Sequence, residues 1–243
     1  MSIMMNELPT VHIAVGGKGT RIREGMEHLG FQPGFPKQLL PTGTGETLLG
    51  RIVRQVMDIG HAAVYASYDN VRAIGESEDI HPDISLLIAR NSNGPLGPLI
   101  KEINRTRRQT LSCAGDYWAD FKWSEFLEFH EQQDTPVSIL VAPSVHTFEG
   151  AKFNVGDNGV VRNWERVDQT TQEDLINIGA YIVDPEKLVM KKLRELSWHK
   201  EDPFNDTMIK GKLMSAYVLD KKAYNVNNPQ VYADLVKNTA EYN

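Results

Sequence analysis

Three cations stand close to a run of glycines near the start of the chain. Lys18 and Arg21 lie within Gly16-Gly-Lys-Gly-Thr-Arg21, and Lys37 follows in Phe35-Pro-Lys-Gln-Leu-Leu-Pro41. Glycines let a ligand approach the backbone, so the stretch Val15, Gly16, Gly17, Lys18, Gly19 and Thr20 can offer its amide N–H groups to an anion. With Arg21 and Lys37 added, the constellation suits a polyanion such as a triphosphate. Asp116 and the adjacent Glu165 and Arg166 are the other charged groups placed where chemistry could use them. An aspartate after a strand is usually a turn residue or a helix cap. Asp116 differs in its position, because ligands of open parallel sheets collect outside the carboxyl ends of strands. Glu165 and Arg166 could be a solvated pair on a strand, although a guanidinium fork also matches a phosphate.

Elements that would position these groups recur along the chain. Short apolar runs at Val11–Val15, Ala62–Ser67, Ile84–Ala89, Thr110–Ala114 and Val137–Ala142 read as strands, with helical patterns between most of them. Such alternation is the mark of βαβ units and a largely parallel sheet. The clearest helix is Thr47–Ile59, where Leu48, Leu49, Ile52, Val53 and Val56 form an apolar stripe and Gly60 supplies the stop. A second helix is expected over Leu99–Arg107, and a third after Trp123 with Ser124 as N-cap. Gly156-Asp-Asn-Gly159 reads as the turn of a hairpin between Phe153–Val155 and Val160–Asn163. Ile176–Val183 and Met214–Leu219 read as strands, and Pro185–Leu196, Phe204–Lys210 and Pro229–Lys237 as helices. The expected architecture is a single α/β domain, residues 1–243. A nucleotide-binding half, about 10–135, runs without a linker into an acceptor-binding half, about 136–243.

The composition narrows the class. A net charge of −6 argues against a general nucleic-acid binder, whose footprint is basic. Cys113 is the only cysteine, which excludes an internal disulfide and fits a reducing cytoplasm. The first ten residues lack the basic and apolar regions of a secretory signal, and no stretch is apolar enough to suggest membrane insertion. The seven histidines show no paired metal-ligand spacing. The tryptophans, among them Trp118, Trp123 and Trp164, are expected in the core or at its rim. Asp120 and Asp69 are read as surface residues. Homo-oligomerisation is left open.

The glycine loop is not G-x-x-x-x-G-K-[ST], and Gly17-x-Gly19 lacks the third glycine of a dinucleotide-binding turn. Together with Phe35-Pro-Lys-Gln-Leu-Leu-Pro41, however, it resembles the two-part signature of the sugar-phosphate nucleotidyltransferases, the nucleotide-sugar pyrophosphorylases. That family has a Rossmann-like, mostly parallel sheet flanked by helices, the nucleotide-diphospho-sugar transferase type. Its enzymes join a nucleoside triphosphate to a sugar 1-phosphate and release pyrophosphate. The resemblance implies that Gly16, Gly17 and Gly19 wrap the nucleotide, that Arg21 holds its leaving phosphates and that Lys37 reaches the α-phosphate. Gly94-Pro-Leu-Gly97 is similar to the segment near base and ribose, with Pro98 in place of a threonine. Ser112-Cys-Ala-Gly-Asp116 resembles the strand whose aspartate binds Mg²⁺. Phe148-Glu-Gly150, Trp164-Glu-Arg166 and Ile176-Asn-Ile-Gly-Ala-Tyr181 resemble the acceptor segments, which implies that Gly150, Glu165, Arg166, Asn177 and Gly179 bind the sugar phosphate. Val167 stands where the family usually has proline.

The last motif departs most. In Tyr224-Asn-Val-Asn-Asn-Pro229, Asn225 occupies the position of the family's second metal-binding aspartate, with Asn227 the alternative register. An asparagine carbonyl can still coordinate Mg²⁺, with one negative charge fewer. The expected mechanism needs no nucleophilic side chain, since the acceptor already carries an anionic oxygen. Competing readings keep the fold and change the role. They are transfer to a non-sugar phosphate, and a regulatory protein that binds a nucleotide sugar without turnover. A nicotinamide dehydrogenase is disfavoured by the missing glycine.

Overall fold

The computed structural model describes residues 9–16, 22, 35–89, 96–106, 108–145, 150–188 and 201–240. Its centre is β1, Thr10–Val15, which pairs in parallel with β2, His61–Ala66, and with β4, Thr110–Ala114. Alternate residues of β1 serve two layers. Val11, Ile13 and Val15 pack with Leu49, Ile52, Val53 and Val56 of helix α1, Leu48–Met57. Thr47 caps α1 by accepting from the Gly50 N–H at 3.0 Å. Gly50 is required there because a Cβ would fall 2.3 Å from Asp79 Oδ2.

Helix α2, Tyr68–Gly75, links β2 to β3, Ser85–Ile88, and α3, Gly97–Thr106, leads into β4. Beyond β4 the chain forms β5, Tyr117–Ala119, helix α4, Trp123–Glu131, and β6, Val137–Pro143. The hairpin β7, Gly150–Val155, and β8, Val161–Val167, precedes β9, Leu175–Val183. Helix α5, Glu201–Lys210, β10, Met214–Val218, β11, Ala223–Asn225, and helix α6, Pro229–Thr239, complete the fold.

The main sheet runs β3-β2-β1-β4-β9-β6-β10, with β7 paired to β9 and β8 to β7. The expected parallel, helix-flanked sheet is therefore present, with one antiparallel strand at its middle: β9 opposes both β4 and β6. Period-two alternation splits β6 and β9 between two cores. Leu140, Ala142, Ile178, Ala180 and Ile182 join the α1 side, whereas Ile139, Val141, Tyr181 and Val183 join the α3 and α5 side with Leu99, Ile103, Phe204 and Met208. A third cluster packs α6 through Val231, Tyr232 and Leu235 onto Trp118, Tyr224 and Val226 of the β5–β11 ribbon and the residue after it.

Several local expectations are corrected. Ser124 is not the cap of α4, which already starts at the buried Trp123 and has Lys122 as N-cap without a side-chain bond. Helix α2 and the short β5–β11 ribbon have no counterpart in the sequence reading, and α5 starts at Glu201, before Phe204. Pro185–Leu188 forms a turn, and the rest of the expected 185–196 helix lies outside the described residues. No helix among the described residues is long and apolar enough to cross a membrane.

Candidate active site

Two parallel strands deliver the site. At the end of β1, the Gly16 carbonyl accepts from Gln38 Nε2 at 3.4 Å, and a Cβ on Gly16 would meet none of the described residues within 4 Å. The glycine loop begins there. The Val15 side chain, in contrast, lies in the α1 core, so its contribution to a ligand is limited to backbone. At the end of β4, the Gly115 N–H donates to the Ala14 carbonyl at 2.9 Å, which ties the approach to Asp116 to the end of β1.

Lys37 comes from a single 3-10 turn, Lys37–Leu39, anchored by the buried Gln38 and Leu39. Its Nζ lies 2.5 Å from Asp116 Oδ2 and donates to the Val226 carbonyl at 3.3 Å. The Val226 N–H in turn donates to the Asp116 carbonyl at 2.8 Å. Three segments far apart in the chain thus meet at one point, with little of either charged side chain exposed: 12% for Lys37 and 21% for Asp116. Antiparallel pairing of β11 with β5 sets Asn225 opposite Tyr117, next to this ion pair in the chain. Asn225 lines a neighbouring cavity, whereas Asn227 accepts from the Asn228 amide at 3.3 Å.

Beside these groups lies a cavity of about 190 Å³. Ser112 and Ala114 of β4 line one side, Asn177, Gly179 and Tyr181 of β9 another, and Leu96 and Asn225 complete it. A bulge shapes the β9 wall. Ile139 faces Tyr181 whereas Val141 faces Asn177, so β9 carries extra residues around Gly179. Gly179 has φ +84, and a Cβ there would press to 2.8 Å from the Ala114 methyl. The Gly179 N–H donates to Asn177 Oδ1 at 2.8 Å, while the Asn177 amide donates to the Tyr181 hydroxyl. Ser112 Oγ donates to the His12 carbonyl at 3.1 Å.

The expected acceptor pair is placed elsewhere. Glu165 and Arg166 are exposed on β8, and the Arg166 fork engages Asp202 of α5 at 2.6 and 3.3 Å. Since β7 separates β8 from β9, the pair stands one strand beyond Asn177 and does not line the cavity. Gly150 opens β7 with its Cα packed toward Thr170, and it too is outside the lining. Gly97 begins α3, directly after the lining residue Leu96. Gly17, Lys18, Gly19, Thr20, Arg21 and Gly94 lie outside the described residues. Ser112 and Tyr181 were not singled out as site residues, although the two-residue period of a strand puts Tyr181 on the face of Asn177 and Gly179. Asp120 is paired with Lys221 at 2.7 Å and with Arg51 at 3.6 Å.

The oxygen donors that meet Lys37, the Asp116 carboxylate and the Val226 backbone carbonyl, are of the hard kind that Mg²⁺ prefers, and Asn225, next to Val226 in the chain, lines the adjoining cavity. They fit a Mg²⁺ that brings phosphate oxygens with it. Among the described residues no group of three or more His, Cys, Asp or Glu could hold a metal by itself.

No family model matches the chain, and no curated protein matches it in sequence. Solved structures do match in fold. A crystal structure of a protein from Bacillus anthracis, described provisionally as a glucose-1-phosphate thymidylyltransferase and bound to sucrose, superposes with a TM-score of 0.74 at 14% identity, covering 96% of both chains. HddC from Yersinia pseudotuberculosis superposes with a TM-score of 0.66 at 16% identity, covering 95% of this chain and 99% of its own. The chain therefore shares its fold, a mostly parallel sheet flanked by helices, with both proteins over nearly all of its length.

Proposed function

We propose that the protein joins a nucleoside triphosphate to a sugar 1-phosphate, giving a nucleotide sugar and pyrophosphate. The observation that carries this reading is the meeting of Lys37, Asp116 and the Gly16 turn beside a small polar cavity walled by Asn177 and Gly179. In the chain these groups belong to four separate motifs, and a nucleotidyl transfer needs them together. The fold shared with a described thymidylyltransferase supports the same reading.

In this mechanism an oxygen of the acceptor phosphate attacks the α-phosphorus, the bond to the bridging α–β oxygen breaks and pyrophosphate leaves. Two polyanions must be brought together, so positioning and charge do the catalytic work. The backbone of Gly16, Gly17 and Gly19 holds the triphosphate, with Lys18, Thr20, Gly94 and Gly97 around it. Arg21 holds the leaving phosphates and Lys37 stabilises charge on the α-phosphate. At about 190 Å³ the cavity is smaller than the roughly 300 Å³ where ligand pockets for drug-sized molecules begin, which suits one sugar ring. Asn177, with the Gly179 backbone, provides its polar contacts. Arg166 reaches the sugar phosphate only by leaving Asp202. Mg²⁺, when bound by Asp116 and Asn225, would supply further neutralisation at the α-phosphate.

The test is a matrix of nucleoside triphosphates against sugar 1-phosphates with Mg²⁺, reading pyrophosphate. One reactive pair is expected. Binding of a nucleotide sugar with no reactive pair would favour the regulatory reading.

A further inference from the structure

We infer that Lys37 holds the place of the divalent metal in the nucleotide-free protein, and that Asn225 keeps the site closed to Mg²⁺ until phosphates arrive. The Lys37 ammonium contacts two oxygen donors there, Asp116 Oδ2 at 2.5 Å and the Val226 carbonyl at 3.3 Å. Its one charge cancels that of Asp116, and Asn225 adds a neutral amide. Among the described residues the local sum is zero, where a hard dication needs negative oxygens.

The pair is also sheltered, which makes separating it costly. A free metal ion would have to displace Lys37 and leave its ammonium in a confined position without a counter-charge. A triphosphate changes both sides of this balance. It offers Lys37 a new anionic partner, releases Asp116 and brings the missing oxygens to the metal. Metal and nucleotide therefore bind as a coupled pair, each raising the affinity of the other by the same factor. A second carboxylate at position 225 would weaken this coupling, because its charge would help the metal displace Lys37 before a nucleotide arrives. The identity of the phosphate carrier rests on the nucleotidyltransferase reading, whereas exclusion of the free metal rests on the ion pair alone.

Mn²⁺ serves as the probe, with its free fraction read by electron paramagnetic resonance. Without nucleotide the wild-type protein should show no saturable Mn²⁺ binding below about 1 mM, the weak end of protein cation sites. Asn225→Asp and Lys37→Met should each bind Mn²⁺ alone more tightly by about tenfold or more, since each makes the site more negative by one charge. Far-UV circular dichroism establishes that each variant is folded, and either folded variant suffices. Tight Mn²⁺ binding by the wild type alone, or no gain in the folded variants, would overturn the inference. Equilibrium dialysis against each nucleoside triphosphate is run in parallel. Failure of all of them to bind would remove the nucleotidyltransferase reading while the metal-only result still decides this one.

Discussion

Lys37 is the residue on which the two halves of the site depend. It touches Asp116 from β4 and the carbonyl following β11, and in the proposed reaction it faces the α-phosphate. Lys37→Ala should lower turnover by about 10²-fold, the usual loss on deleting one electrostatic stabiliser of a transition state. Arg21→Ala should do the same, and steady-state kinetics with the reactive pair measures both. Tyr181→Phe removes only the hydroxyl that the Asn177 amide donates to. It should raise KM for the sugar phosphate and leave KM for the nucleotide unchanged. Gly179→Ala is expected to be the harsher change. It forces an L side chain to φ +84 and sets a methyl 2.8 Å from that of Ala114. A stability loss of about 1–3 kcal/mol should appear in urea unfolding.

At the scale of elements, β11 and α6 hold Asn225 and Val226 in place. Asn228 caps α6 by accepting from the Val231 N–H at 2.9 Å, with Pro229 at the first position. Asn228→Ala should cost about 1 kcal/mol of stability, measurable by denaturant titration. The start of this helix was legible because proline and asparagine have distinct roles at a helix N-terminus. The β5–β11 ribbon was not legible, because three-residue strands carry no alternation to detect. Helix α2 was hidden for a similar reason: its eight residues have only Val71 and Ile74 as large aliphatics. Trp123 misled the placement of the α4 start, since its burial pulls it into the first turn whatever Ser124 offers.

Gly16, Lys37, Asp116, Asn177 and Asn225 stand in separate motifs of the chain, and the fold brings them to one region. What the sequence could not supply was the distance between strands. Glu165 and Arg166 look equivalent to Asn177 in the linear text, yet β7 lies between them and the cavity wall.

For the molecule as a whole, two buried histidines contribute to the pH response. His12 in β1 and His130 in α4 both have pKa values lowered from 6.5 to about 4, chiefly by burial. His12 Nδ1 is within 3.2 Å of the Tyr65 hydroxyl and His130 Nδ1 within 2.8 Å of Ser138 Oγ, and burial disfavours the charged form of both rings. Above pH 6.5 both folded and unfolded chains hold neutral imidazoles. Between 6.5 and about 4 only the unfolded chain takes up the protons, so stability falls as the pH drops through that window. His130→Gln should make the decline shallower. Cys113 provides the readout: it is buried and its thiol is pushed up to about 12 by desolvation, so alkylation reports opening of the fold.

The central claim is that the end of β1, the end of β4 and the β9 bulge form one two-substrate site for nucleotidyl transfer. It is tested most directly by following the α-phosphate. With the reactive nucleoside triphosphate labelled at the α-phosphorus, the label should pass into a nucleotide sugar only when sugar 1-phosphate is present, with pyrophosphate formed in equal amount. Label recovered only as nucleoside mono- or diphosphate, or label release that does not depend on the acceptor, would contradict the account.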